Sequence, residues 1–418
     1  MKHCLAVLSL LFLLESASAQ NSPTVEAGSL PQKLESARYG LLVDNGVLSG
    51  SGASVLAEAI RQSPYILIGE DHLTREVPQF TTALCDLTAK QGLVGMALEV
   101  SPEAAEFMMH TLKAPDRWDR MVALTRTYPS SIAFLDSRQE GDLVANCAQA
   151  SHNSNFHLWG LDQNFVGSAG WLIDLMLAAH HGSGSKEALL RLKADEQRDA
   201  AEAKASGNPA TLFMLSEKTD AELKEAAPEI DRDGGPEVKK IFQELVSSHS
   251  IYEKEVHSGD ANVERARLLK QNFRDAMNQL SPAEKDGKVI VKFGDWHMYR
   301  GFNPLHHRDL GNYIAEEADV NGRDSLHICI LGAGGMRRVF GGYGKPFQVQ
   351  ASTPAQDRWY RWMEAFMAKQ IPGQWTLFDL RALRFERFGQ LDPDVERMIE
   401  GYDFLVVVPE VTPAEMTD

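Results

Sequence analysis

The sequence predicts an α/β protein: a mostly parallel central sheet flanked by helices, carrying a helical insertion or cap. Three observations predict it. Short runs rich in Val, Ile, Leu and Phe recur along the 418 residues, helical stretches separate most of them, and one long segment changes composition to Ala, Glu, Lys, Arg and Gln. Continuous apolar runs of this length read as strands buried on both faces.

At the start, Lys2, the apolar run 5–14 and Ala17-Ser18-Ala19 have the three parts of a secretory signal peptide. Residues 1–19 are expected to be removed before Gln20, so the protein is expected to be exported, periplasmic or secreted. The apolar run falls short of the roughly 20 residues of a spanning helix, so no membrane insertion is expected. Residues 20–38 begin polar and Pro-bearing and are expected to form a mobile lead-in. Residues 39–185 hold the first part of the α/β domain, with strands expected at 65–68, 94–98 and 156–161. Residues 186–285 form the insertion, with Leu189, Leu190 and Leu192 at helical spacing and with breaks at Pro209, Pro228 and Gly234-Gly235-Pro236. Residues 286–413 complete the domain, with strands expected at 289–293, 326–331, 375–380 and 404–408.

A net charge of -16 repels phosphate backbones and anionic lipid, which argues against nucleic acid and membrane surfaces as partners; the expected partner is a small-molecule substrate or ligand. Cys4 lies in the leader, leaving Cys85, Cys147 and Cys329. In an oxidising compartment one pair is free to bridge, and the odd cysteine reads as a buried apolar filler. No CxxC spacing suits structural zinc.

The chemistry gathers where strands end. The first expected strand ends in Gly69-Glu70-Asp71-His72, followed by Arg75; the second ends at Glu99; the third reaches Asp162-Gln163; the fourth ends in Gly294-Asp295-Trp296-His297. Ligands of open α/β sheets bind beyond the carboxyl ends of strands, so these junctions form the candidate site. Glu is a poor helix cap and is rarely buried alone, which favours function for Glu70 with His72; Glu99, after an apolar run, suits a functional or a structural role equally. Asp162 and Asp295 also suit plain caps, and His297 also suits a structural histidine.

This motif series, in this order, resembles the erythromycin esterase family. Leu310-Gly311, the helix with Arg267 and Asn272, Leu377-Phe378-Asp379-Leu380-Arg381 and the closing 402–408 fit the same pattern. The two-residue step from Glu70 to His72, followed by Leu73, is similar instead to the ChaN-like proteins, a related group linked to haem. The chain thus reads as a divergent member of the erythromycin esterase-like and ChaN-like superfamily.

The resemblance implies water-mediated hydrolysis of an ester or lactone without a covalent Ser intermediate, and no Gly-x-Ser-x-Gly elbow is present. His72 is expected as general base, Glu70 or Glu99 as the carboxylate that orients it, and His297 as proton donor. Arg75, Asp162 and Trp296 are expected at the substrate. No cofactor is required by this scheme. A divalent metal held by the same His and Glu side chains is the metal-dependent alternative. Non-catalytic haem or small-ligand binding of the ChaN-like kind is another, for which His306 and His307 offer imidazoles. Gly332-Ala333-Gly334-Gly335 with Arg337-Arg338 lacks the spacing of a nucleotide loop and reads as a plain loop.

Overall fold

The computed structural model describes residues 29–417 apart from 45, 153–154, 258, 260 and 343–344, so the expected signal peptide lies outside the described residues. Eleven strands form among them: β1 Arg38–Asp44, β2 Val47–Ser49, β3 Tyr65–Glu70, β4 Leu93–Leu98, β5 His157–Gly160, β6 Lys288–Gly294, β7 Ser325–Gly332, β8 Met336–Val339, β9 Gln348–Ala351, β10 Trp375–Asp379 and β11 Phe404–Val408. Nine build one sheet in the order β2-β1-β10-β11-β7-β3-β6-β4-β5, and β8 and β9 form a separate hairpin. From β11 through β5 every neighbouring pair is parallel; β10, β1 and β2 add an antiparallel flank.

The alternation of side chains along each strand explains why both faces are apolar. Ile66, Ile68, Met96, Leu98, Ile290 and Ile330 enter one core. Leu67, Ala97, Val289, Val291, Phe293 and Leu331 enter the core on the opposite face. With helices against both faces, the parallel strands have no solvent side, which is why their sequences run apolar without a break.

All seven expected strands form, with ends shifted by a residue or two. The lead-in expectation fails over 30–38. Leu30–Ser36 is a helix with Pro at its first turn, and β1 starts at Arg38. Leu34 is fully buried and Ala37 nearly so, an apolar face at helical spacing that anchors this stretch to the sheet's second core.

The helical segment also departs from its expected limits of 186–285. It begins at Ala169–Ala178 and continues through Ser183–Ser206, Lys218–Asp233 and Gly235–His257, which share a third core containing Leu172, Leu189, Ile230 and Leu245. Its last helix, Asn262–Gln279, packs Leu269 and Phe273 into the sheet's second core. Pro228 sits inside the helix Lys218–Asp233 rather than ending it; the break comes at Gly234-Gly235, where Gly235 takes φ +73°.

Cys85 and Cys147 form a disulfide between the helices Glu76–Ala89 and Arg138–Ala150, and Cys329 is the buried odd thiol. One bridge and one filler is the arrangement the cysteine count allowed. Among the described residues no helix is long and apolar enough to cross a membrane.

Candidate active site

Parallel pairing brings four junctions together. β3, β6, β4 and β5 are consecutive neighbours with their carboxyl ends on one edge. Glu70 pairs with Gly294 across β3 and β6, and Leu98 pairs with Lys292 across β4 and β6. Leu98 is also level with Gly160 of β5, so Glu99 and Asp162 emerge side by side.

Glu99 is the centre of the arrangement. Its Oε2 lies 3.3 Å from His72 Nε2 and accepts the Gly294 N–H at 2.5 Å. Its Oε1 accepts from Arg265 Nη2 at 2.7 Å and lies 3.5 Å from His297 Nε2. A Cβ at position 294 would sit 3.0 Å from His72 Nε2, so glycine there makes room for the ring. His72 Nδ1 faces Glu70 Oε1 at 2.8 Å, and its ring stacks on Phe134 at 4.1 Å. Leu73 and Phe134, the residues that frame this imidazole, both take left-handed backbone angles, φ 68° and 70°. Strain of this kind persists where surrounding contacts over-determine it.

His297 is held by a different device. Its Nδ1 lies 2.8 Å from Asp309 Oδ2, while Arg265 Nη1 donates to Nε2 at 3.2 Å. Asp309 uses its other oxygen on the Leu310 N–H, capping the helix Leu310–Val320. Arg265 also pairs with both oxygens of Asp162, through Nε at 3.0 Å and through Nη2. Lys292, on β6, donates to Glu70 at 2.5 Å and to Glu140 at 2.8 Å, and is 3 % exposed.

The two imidazoles are both shifted upward, with different partners around each. Burial opposes charge on His72, but the carboxylates of Glu99 and Glu70 outweigh it and raise its pKa to about 10. It is therefore an imidazolium at neutral pH, with both nitrogens donating. His297 is also opposed by burial and raised by Asp309 and Glu99, but Arg265 holds it down, and the net shift is upward. A neutral ring with its proton on Nδ1 satisfies Asp309 and leaves Nε2 to accept from Arg265. Glu99 would be raised by burial, yet His72, His297 and Arg265 take it well below the usual carboxylate range. Glu70 is likewise lowered, by Lys292 and His72 against burial. Glu140, at the end of the chain of charges, is raised by burial to about 7.

Beside this network lies a cavity of about 180 Å³ lined by Glu99, Asp162, Arg265, Gln163, Phe134 and Phe165, among others. Side-chain exposures of 23 % for His72 and 13 % for His297 leave both rings reachable. The β8–β9 hairpin approaches from above, with Phe340 against Phe165 at 5.6 Å.

Of the seven expected site residues, Glu70, His72, Glu99, Asp162 and His297 join one network. Arg75 does not: its Nε donates to the Pro413 carbonyl at 2.8 Å, on exposed backbone, and Arg265 supplies the guanidinium instead. Trp296 lies outside the cavity lining; its ring packs on Trp359 at 5.0 Å and its buried Nε1 has no hydrogen-bond partner. The neutral-base role expected of His72 is also revised, because two carboxylates keep it charged. Sequence reasoning missed Arg265, Asp309, Lys292 and Glu140. Lys292 carried a signal, a charge inside an apolar strand. Arg265 lies two residues from the Arg267 of the motif series, which is exposed, and residues two apart do not share a helix face.

A divalent metal does not fit this arrangement. Both nitrogens of His72 face carboxylates, Lys292 and Arg265 already supply positive charge to Glu70 and Glu99, and among the described residues no group of three or more His, Cys, Asp or Glu is disposed to hold an ion. His306, one of the two imidazoles considered for haem, is exposed on a turn closed by its N–H to Asn303.

No protein-family model matches the chain, and no curated protein sequence matches it. Solved structures do. An erythromycin esterase, EreC, in a His-to-Asn variant and in its open conformation, aligns at a TM-score of 0.58 and 13% identity, covering 91% of this chain and 99% of that one. This chain has that fold. A succinoglycan biosynthesis protein aligns at 0.58 and 13% identity, over 92% and 97% of the two chains, and a Bacillus cereus protein at 0.57 and 15%, over 93% and 98%. The fold implied by the order of the motifs is thus the fold adopted, while at such identity the chemistry rests on the side chains themselves. A haem-binding ChaN of Campylobacter jejuni aligns at a TM-score of 0.28, which carries no argument.

Proposed function

We propose that this chain is an exported hydrolase that cleaves a carboxylic ester or lactone by direct attack of water. One observation carries the reading: two imidazoles face the same carboxylate, one fixed as an imidazolium and one oriented by an aspartate with its second nitrogen able to accept a proton. Two titratable groups of one kind given different hydrogen-bond partners are how one site runs acid and base chemistry together.

His297 is the base. Asp309 holds the proton on Nδ1 and stabilises the imidazolium that forms when Nε2 takes a proton from water. An ester carbonyl is an acceptor for the Arg265 N–H that otherwise faces Nε2, so substrate binding frees the base as it polarises the carbonyl. As the water oxygen bonds to the carbonyl carbon, the C–O bond to the leaving group breaks and that alkoxide takes the Nε2 proton of His72, which faces Glu99 at the longer distance of 3.3 Å. The turnover ends with a proton on His297 and one missing from His72. Exchange with water closes the cycle, His297 giving up its proton and His72 regaining one, since both rings are reachable.

Export is supported by the leader at 1–19 and by the Cys85–Cys147 disulfide, since such bonds persist in oxidising compartments. The test is hydrolysis of a panel of alkyl esters and lactones by wild type, His297→Ala and His72→Ala, each checked for folding by circular dichroism. Turnover by wild type lost in both variants supports the scheme; full activity in His297→Ala rejects it.

A further inference from the structure

Residues 411–417 cross the loops that build the site, and almost every peptide unit is engaged. Val411 exchanges backbone hydrogen bonds with Gly334 and Met336 in the turn that leads from β7 into β8. Thr412 accepts the Arg75 N–H, while its own N–H and hydroxyl donate to the two oxygens of Glu76 at 2.8 and 2.7 Å. Ala414 N donates to the Leu73 carbonyl at 3.0 Å, and the Ala414 carbonyl accepts from Arg338 Nε. Further along, Glu415 accepts the Arg138 N–H and Thr417 N donates to the Asp136 carbonyl. Val411, Ala414 and Met416 are buried beneath this ladder.

The Leu73 carbonyl is where the segment meets the chemistry. It accepts two backbone N–H groups, from Ala414 and from Arg338 at 3.3 Å, and it belongs to a leucine held in the left-handed region. A side chain with a Cβ avoids that conformation unless its surroundings enforce it. The residue before it is His72, whose ring must reach both Glu70 and Glu99. Glu76, two residues beyond Thr74, is buried, and its two carboxylate oxygens accept from the N–H and the hydroxyl of Thr412.

We propose that residues 411–417 act as a strap that sets the left-handed turn at Leu73 and thereby positions His72 between Glu70 and Glu99, with Glu76, Thr412 and Ala414 as positioning residues. The strap touches no reacting atom. It ties the loop after β3 to the β8–β9 hairpin and to the start of the helix Arg138–Ala150, which carries Glu140, the outer partner of Lys292. One continuous segment thus holds three separate loops at the distances that the charge network needs.

Two full-length variants test this. Glu76→Ala with Thr412→Val removes the side-chain pin, and Ala414→Pro removes the N–H that Leu73 accepts. In each, kcat should fall by about tenfold to a hundredfold with KM changed far less, the size expected when a reacting group is misplaced by about 1 Å. The imidazole titration of His72, followed by NMR without substrate, should move toward the ordinary histidine value as the ring leaves its carboxylates. Adding Leu73→Gly to Ala414→Pro should restore part of both readings, because glycine adopts the turn without enforcement. The kinetic arm rests on the proposed hydrolysis, whereas the NMR arm reads His72 whatever the reaction is. Unchanged His72 titration in both strap variants would overturn the proposal, as would losses that merely follow the melting temperature and that Leu73→Gly does not reverse.

Discussion

His297 Nδ1 lies 2.8 Å from Asp309 Oδ2, and Asp309 spends its other oxygen on the N–H of Leu310. The aspartate is therefore fixed by the helix it caps, and it fixes the imidazole in turn. Burial would raise Asp309, but His297 and the cap lower it, so it stays a carboxylate. Asp309→Asn should lower kcat by about tenfold to a hundredfold, and His297→Ala should lose most of the roughly hundred- to ten-thousand-fold that a general base contributes. Steady-state kinetics on any hydrolysed ester checks both, with Arg267→Ala as the exposed control that should keep its rate.

If His72 donates to the leaving group, its loss should depend on what leaves. His72→Ala should cost much of the rate on alkyl esters, whose alkoxides need a proton, and little on nitrophenyl esters, whose anions leave unaided. His297→Ala should cut both alike. A leaving-group series on the two variants reads this directly; equal losses in His72→Ala across the series would return the base role to His72.

The pH dependence follows from the two shifts. His297 must be neutral to act, and its pKa is raised from 6.5, so the acid limb of kcat/KM should have its midpoint above 6.5. Asp309→Asn removes a raising influence and should move that limb to lower pH. His72 must be charged, so an alkaline limb should appear near its pKa of about 10. Stability carries the same sign: with a folded value above the unfolded one, the His72 contribution is complete below about 6.5 and is lost as pH rises toward 10. Urea melts from pH 7 to 10 should therefore show wild type losing stability faster than His72→Gln.

Lys292 has Glu70 and Glu140 as partners in a dry environment, 3 % exposed. Lys292→Met should cost about 3–5 kcal/mol, because it takes the buried ammonium from Glu70 and Glu140 together and leaves Glu70 with His72 alone, although the released carboxylates can take up protons. Chemical denaturation at pH 7 and pH 5 measures this, and the cost should shrink at the lower pH as Glu140 protonates from its value of about 7.

Replacing Cys85 and Cys147 together by Ser should cost about 4 kcal/mol on the chain-entropy model for a bridge spanning 62 residues, without disturbing the charge network. A lowered melting temperature with unchanged pH dependence of the rate is the expected result.

What the sequence made legible was the periodic part. The runs around Leu67, Val291 and Val406 read as buried strands because parallel strands are apolar on both faces, and acidic and histidine residues just past them pointed to one sheet edge. The residues that escaped notice act across long separations. Arg265 reaches Asp162 and Glu99 only because the helix Asn262–Gln279 lies against the sheet, and Asp309 looks like any cap until His297 is seen beside it. β1 and β2 escaped notice because they stand at the antiparallel flank, where the apolar runs are only two or three residues long. Arg75 looked catalytic from its place after His72, but its direction is set by backbone more than three hundred residues away.

The central claim is direct hydrolysis by the paired imidazoles, and intact-protein mass spectrometry during turnover of a saturating alkyl ester or lactone tests it most directly. Wild type should release the carboxylic acid continuously with no acyl adduct on the chain, and His297→Ala should release almost none. An acyl adduct, or a folded wild type that hydrolyses nothing yet binds haem stoichiometrically through His72, would contradict the account.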